Sequence, residues 1–216
     1  MRVIQNIREK INQEIFNHSQ VLDILRDYSK PRDVISNLLK RGDIIRIRKG
    51  LYVFGEFWRR NQFNRELLAN LIYGPSVISL DYLLSNSGLI PESVSAITSI
   101  TTGRSRTFDT PTGRYSYRQI NKNRFSFGAE LQKTETGSYL AANPLKALAD
   151  KIYLDKRFKP TSPSSYAGYL FEDLRIDEQI LLEYLNKEKI AELDKIYSSR
   201  KIKWFTRFIK KEFQIE

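Results

Sequence analysis

"LLKRGDIIRIRKGLYVF", residues 38 to 54, changes period in its middle, and the fold of the front of the chain turns on that change. Leu38, Leu39 and Lys40 finish an apolar-periodic stretch that begins at Pro31, with Val34 and Ile35 on the same side. Residues three and four apart share one face of a helix, and Pro at a first turn loses nothing by lacking an N–H, so a helix over 31–40 is predicted. Gly42 suits its end, because the left-handed conformation that closes a helix is free of strain only for Gly. From Ile45 the pattern becomes Ile-Arg-Ile-Arg, then Lys49-Gly50, then Leu51 to Phe54, rich in strand formers. Alternation at period two around a turn dipeptide predicts a β-hairpin.

Upstream, Ile4, Ile7, Ile11 and Ile15 recur at helical spacing and predict a first helix. Asn17 or Ser19 can cap a second, carrying Val21, Leu22, Ile24 and Leu25. Three short helices followed by a hairpin form the winged helix-turn-helix pattern, expected here over residues 1–55. In that pattern a helix enters the major groove while a cationic hairpin meets neighbouring phosphates. The candidate DNA-binding residues are Lys30, Arg32, Ser36, Asn37, Lys40 and Arg41 around the third helix, and Arg46, Arg48 and Lys49 on the hairpin. The competing reading is plain solvation, since any half-buried hairpin turns its polar residues outward.

Composition agrees with a polyanionic partner. Among 216 residues, 36 Lys and Arg against 25 Asp and Glu give a net charge of +11, and the pI is near 9.7. The first 160 residues carry the whole excess; Arg200 to Lys211 adds a separate basic run without an acid. A hydrophobic content of 41% supports a core. There is no Cys, which removes disulfides, thiolate zinc sites and cysteine nucleophiles. No apolar run is long enough for a signal peptide or a membrane span, so a cytoplasmic protein without a membrane partner is expected.

Beyond a junction at 55–60, helices are predicted at 61–73 and 79–87, a strand at 94–102, and two more strands at 114–120 and 124–132. Asn143-Pro144 opens a helix to about residue 157. Residues 158–216 read as a helical tail after the Pro- and Ser-rich 159–165 segment. The fold class is therefore α+β: a winged helix-turn-helix, then a second domain over 61–216 with a small, mostly antiparallel sheet and a helical C-terminal part. Residues 201–211 form a basic amphipathic helix that could lie on anionic lipid, touch DNA or bury its Trp204, Phe205 and Phe208 face; burial is favoured.

The stretch "ISLDYLLSNSGLIPESVSAITSITTGRSRTFDTPTGRYSYRQI", residues 78 to 120, "AANPLKALADKIY", residues 141 to 153, and the opening quotation together resemble the AbiEi antitoxin family of abortive-infection operons. The resemblance implies a DNA-binding front that represses its own operon and a rear domain that neutralises a nucleotidyltransferase-like toxin without stable direct binding, the type IV arrangement. Oligomerisation on DNA is compatible with it. Arg104, Arg106, Arg114, Arg118, Lys122 and Arg124, with only Asp109 among them as an acid, form a candidate antitoxicity surface. A solvated sheet face would look the same.

No catalytic constellation, metal-ligand cluster or cofactor motif is found. The lone His18 sits near a helix start, Asp81 suits a helix dipole, and the glycines lack phosphate-loop spacing. A non-enzymatic protein is expected. Two further readings stay open: a DNA-binding regulator of another mobile-element process, and a protein or membrane interaction module.

Overall fold

The computed structural model describes residues 3–215. Its front half-layer holds α1 (Val3–Lys10), β1 (Ile15–Asn17), α2 (His18–Ile24), α3 (Pro31–Arg41), β2 (Ile44–Arg48) and β3 (Leu51–Phe54). Ile15 does not continue the first helix. Arg8 donates to the carbonyls of Asn12 and Gln13 and to the Glu14 carboxylate, which turns the chain after Ile11. Ile15 then pairs with Val53 as part of an edge strand, giving an antiparallel sheet ordered β1-β3-β2. Asn17 caps α2 in a reciprocal box with Gln20: each side chain accepts from the other's backbone N–H.

That small sheet is covered on both faces. Phe16, Ile44, Tyr52 and Phe54 pack against the apolar sides of α1, α2 and α3. Ile47, Leu51 and Val53 belong instead to a cluster with Leu68, Ile72, Ile97, Tyr115 and Tyr117 of the rear part. The front and rear therefore share a core across the 55–60 junction, where a 3-10 turn runs over Glu56–Trp58.

The rear part follows as α4 (Arg65–Ile72), β4 (Ser76–Ile78), α5 (Leu80–Asn86), β5 (Ile97–Thr101), β6 (Arg106–Thr110), β7 (Gly113–Gln119), α6 (Lys122–Ser126), β8 (Ala129–Thr134), β9 (Gly137–Ala142) and α7 (Pro144–Leu154). A helical tail closes it: α8 (Ser165–Ala167) running into a π-helical turn at Gly168–Asp173, then α9 (Glu178–Tyr184), α10 (Lys187–Tyr197) and α11 (Arg200–Glu212). The strands form one sheet ordered β6-β7-β5-β4-β9-β8. β4–β5, β6–β7 and β8–β9 pair antiparallel, while β4–β9 and β5–β7 pair parallel, so the protein is α+β with a mixed sheet in which antiparallel pairings predominate. The strand expected at 124–132 begins later: Asn121 accepts from the Asn123 N–H and starts α6, and Gly128, at φ 59°, turns the chain into β8.

One face of the large sheet carries Ile78, Ile97, Tyr115, Tyr117 and Ala141 toward α4 and the front sheet. The other carries Val77, Ile100, Ile120 and Ala142 toward α5, α7 and the tail. The tail is welded on: Ile202, Phe205, Phe208 and Ile209 of α11 are buried in that second cluster, so the apolar face of the basic helix is covered.

At its centre Lys146 and Asp150, one helical turn apart on α7, are both fully buried, 3.2 Å apart. The Ser79 and Tyr197 hydroxyls donate to the Asp150 carboxylate at 2.7 and 2.5 Å, and Lys146 also donates to the Arg124 carbonyl at 2.7 Å. Burial pushes the Asp150 carboxyl up and the Lys146 ammonium down, each opposed by the other's charge.

Candidate nucleic-acid interface

α3 begins on Pro31, has Asp33 in its first turn and Lys40 and Arg41 in its last, each favourable to the helix dipole, and ends on Gly42 at φ 73°. Ile35 and Leu38 are buried beneath it. Arg32, Ser36, Asn37, Lys40 and Arg41 lie exposed on the opposite side, with Lys30 exposed just before it. Asp33 is the one acid on that face. The helix thus presents a polar, net-cationic face on a fixed apolar base.

The hairpin departs from simple alternation. Arg46 sits opposite Tyr52, but Arg48 sits opposite Leu51, so the β2 strand carries a bulge between them. Directly opposed residues share a face, which places Arg46 on the side of α1–α3 and Arg48 on the side of the rear part. A bulge re-aims a side chain in just this way. Arg48 donates to the Ile72 carbonyl at the end of α4. All three hairpin cations are exposed, but among the described residues only Arg48 is anchored to the rear part; Arg46 stands opposite Tyr52 and Lys49 at the tip, where Gly50 turns at φ 85°. Among the described residues, none of Lys30, Arg32, Lys40, Arg41, Arg46 or Lys49 is in an ion pair.

The six rear cations do not gather on one face. Arg106 opposes Tyr117 and lies over the Tyr73 ring, 5.5 Å from its centroid, on the α4 side of the sheet. Arg118, one residue from Tyr117, points to the other side, beside Leu80 and Lys151. Arg114 donates to Asp109 at 2.7 Å. Arg124 is half-buried and engaged with the Tyr197 carbonyl and the Tyr153 hydroxyl, so it joins α6 to α7 and α10 rather than meeting a partner. Arg104 and Lys122 are exposed in loop and helix-start positions.

A second basic region lies at the end of α7, in the run KIYLDKRFK of residues 151–159, and was not singled out from the sequence. Its signal was present there, as cations interleaved with Tyr153 and Phe158. Among the described residues no group of three or more His, Asp or Glu side chains could hold a metal ion, and no helix is long and apolar enough to cross a membrane. No protein-family model matches the chain, and no curated protein sequence is detectably similar to it.

Proposed function

We propose that the chain binds duplex DNA as a winged helix-turn-helix protein and serves as a cytoplasmic antitoxin of the type IV, abortive-infection kind, repressing its own operon. One observation carries the DNA reading: the exposed side of α3 holds Arg32, Ser36, Asn37, Lys40 and Arg41 over a buried Ile35–Leu38 base, with Arg46 and Lys49 exposed on the adjoining hairpin and, among the described residues, no acid paired to any of these cations. A helix about 10–12 Å across fits the major groove, where Arg and Asn read base edges by paired hydrogen bonds. Arg46 and Lys49 supply phosphate contacts that fix the register. The antitoxin role is supported by the resemblance of residues 78–120 and 141–153, and places neutralisation of a nucleotidyltransferase-like toxin in the rear part.

Because front and rear share a core, point variants separate the two roles better than truncation. The experiment pairs a gel-shift assay on the DNA upstream of the gene with growth rescue from a co-expressed toxin encoded by the adjoining reading frame. Arg46→Glu with Lys49→Glu is expected to abolish the shift and preserve rescue. An unchanged shift refutes the DNA reading, and absent rescue by the unmodified protein refutes the antitoxin reading.

A further inference from the structure

α7 ends at Leu154, and the chain turns sharply through residues 155–159. The turn is held from several sides. The Asp155 carboxylate accepts from the N–H groups of Arg157 and Phe158 and from the Tyr169 hydroxyl. Lys201 of α11 donates to the carbonyls of Ile152 and Asp155, and the Phe158 ring stacks on Tyr169 at 3.7 Å and 9°. The segment is thus built rather than merely solvated.

Three clefts of about 300, 420 and 420 Å³ adjoin around it, all sharing Asp155. Their rims bring together Arg118 of β7, Lys151 of α7, Lys156 and Lys159 of the turn, and Arg200 of α11. Arg118, Lys156, Lys159 and Arg200 are exposed, and among the described residues none of the four is in an ion pair. Three acids line the clefts: Asp81, paired with Lys151; Asp155, engaged by the turn itself; and Asp173, exposed at one end of the third cleft, so the cations outnumber the free acid. Tyr153 and Trp204 stand half-buried in one cleft, with the Arg200 guanidinium 4.9 Å from the Trp204 ring.

We propose that this groove is a second nucleic-acid site, which takes a single strand and works independently of the α3 face. Cations distributed along a continuous groove match successive phosphates, and half-buried Trp204, with the Arg200 guanidinium over its ring, supplies an aromatic–cation stack that an unpaired base can extend. A free nucleotide would fill one cleft and leave the cations of the others unmatched. A duplex keeps its bases stacked inside and could not bring them to Trp204; the Tyr153 ring, under the Arg124 guanidinium at 4.5 Å, forms the floor of the cleft. The proposal goes beyond the duplex-binding reading and stands without it.

The test uses the full chain and a labelled 12-nucleotide oligothymidylate or oligouridylate, followed by fluorescence anisotropy. Lys156→Glu with Lys159→Glu is expected to weaken single-strand binding tenfold or more, roughly the effect of losing two phosphate contacts and gaining two repulsive ones, and to leave duplex binding unchanged. Arg46→Glu with Lys49→Glu is expected to leave single-strand binding unchanged. Strand binding should quench tryptophan emission, and Trp204→Phe, which keeps the packing, should remove most of that quench because the other tryptophan, Trp58, lies at the front. Equal competition by inorganic polyphosphate, unchanged binding in the Lys156/Lys159 variant, or loss of binding in the Arg46/Lys49 variant would each overturn the proposal.

Discussion

Arg48 leaves the hairpin on the side away from α3 and donates to the backbone carbonyl of Ile72, at the far end of α4. The bond ties the front sheet to the rear part above their shared apolar cluster of Ile47, Leu51, Val53, Leu68 and Ile72. A charged donor on a partly buried carbonyl contributes about 1–2 kcal/mol. Arg48→Ala is therefore expected to lower the melting temperature by about 2–8 °C for a chain of this size, while weakening duplex binding less than Arg46→Ala does. Calorimetry and a binding titration on the same preparations check both halves.

The shared cluster also bears on separability. A fragment lacking residues 1–55 would expose Leu68, Ile72, Ile97, Tyr115 and Tyr117, all buried in the whole chain. It is expected to aggregate or to unfold at a lower temperature than the full chain, as size-exclusion chromatography and circular dichroism would show. A monomeric fragment of undiminished stability would mean that the front sheet adds nothing to the rear core.

The proposed duplex binding predicts different behaviour for base contacts from α3 and for phosphate contacts. Asn37→Ala and Arg32→Ala are expected to compress the difference in affinity between preferred and scrambled duplexes, each lost base contact being worth about 1–3 kcal/mol. Lys49→Ala is expected to weaken both duplexes alike. A competition assay against random-sequence DNA distinguishes the two outcomes.

The buried Lys146–Asp150 pair makes a sharper stability prediction. Asp150→Ala strands the Lys146 ammonium and two hydroxyl donors in the core, and is expected to cost about 3–5 kcal/mol. Replacing both partners together, with Lys146→Met and Asp150→Leu, removes the charges as a pair and is expected to cost less than the single change. Denaturant titrations of the two variants settle the order.

Acid should loosen the 155–159 turn. Burial alone would raise the Asp155 carboxyl, but the N–H groups of Arg157 and Phe158 and the Tyr169 hydroxyl bind its charged form and hold it below the ordinary value of 3.8. A depressed carboxyl stabilises the fold above that ordinary value, and the contribution is lost as pH falls through the lowered one. Asp155→Asn is expected to be less stable than the unmodified chain at neutral pH and to lose less on acidification below pH 4, as melting temperatures across the acid range would show.

Much of this fold was legible in residue spacing. The α3 helix, its Gly42 stop, the Asn17 cap and the hairpin all follow from local chemistry, and local chemistry shaped them. What spacing could not show was contact between distant segments. Ile15 keeps helical phase with Ile11, yet Arg8 turns the chain and Val53 pairs with Ile15 as a strand. Arg46 and Arg48 alternate as if on one face, until a bulge separates them. Arg106 and Arg118 look like one basic surface, but the β6–β7 register sets them on opposite sides of the sheet. The groove beside Phe158 needed α11 to fold back and bring Arg200 and Trp204 to α7, which no local window contains.

The most direct test of the duplex-binding account is the salt dependence of affinity for DNA from upstream of the gene, measured by anisotropy between about 50 and 200 mM salt. If four to six of Lys30, Arg32, Lys40, Arg41, Arg46 and Lys49 neutralise phosphates, log K falls against log salt with a slope of about −4 to −5, at about −0.9 per phosphate. The Arg46→Ala, Lys49→Ala double variant then shows a slope shallower by about 2. A flat salt dependence, or a slope that the double variant leaves unchanged, would contradict the account.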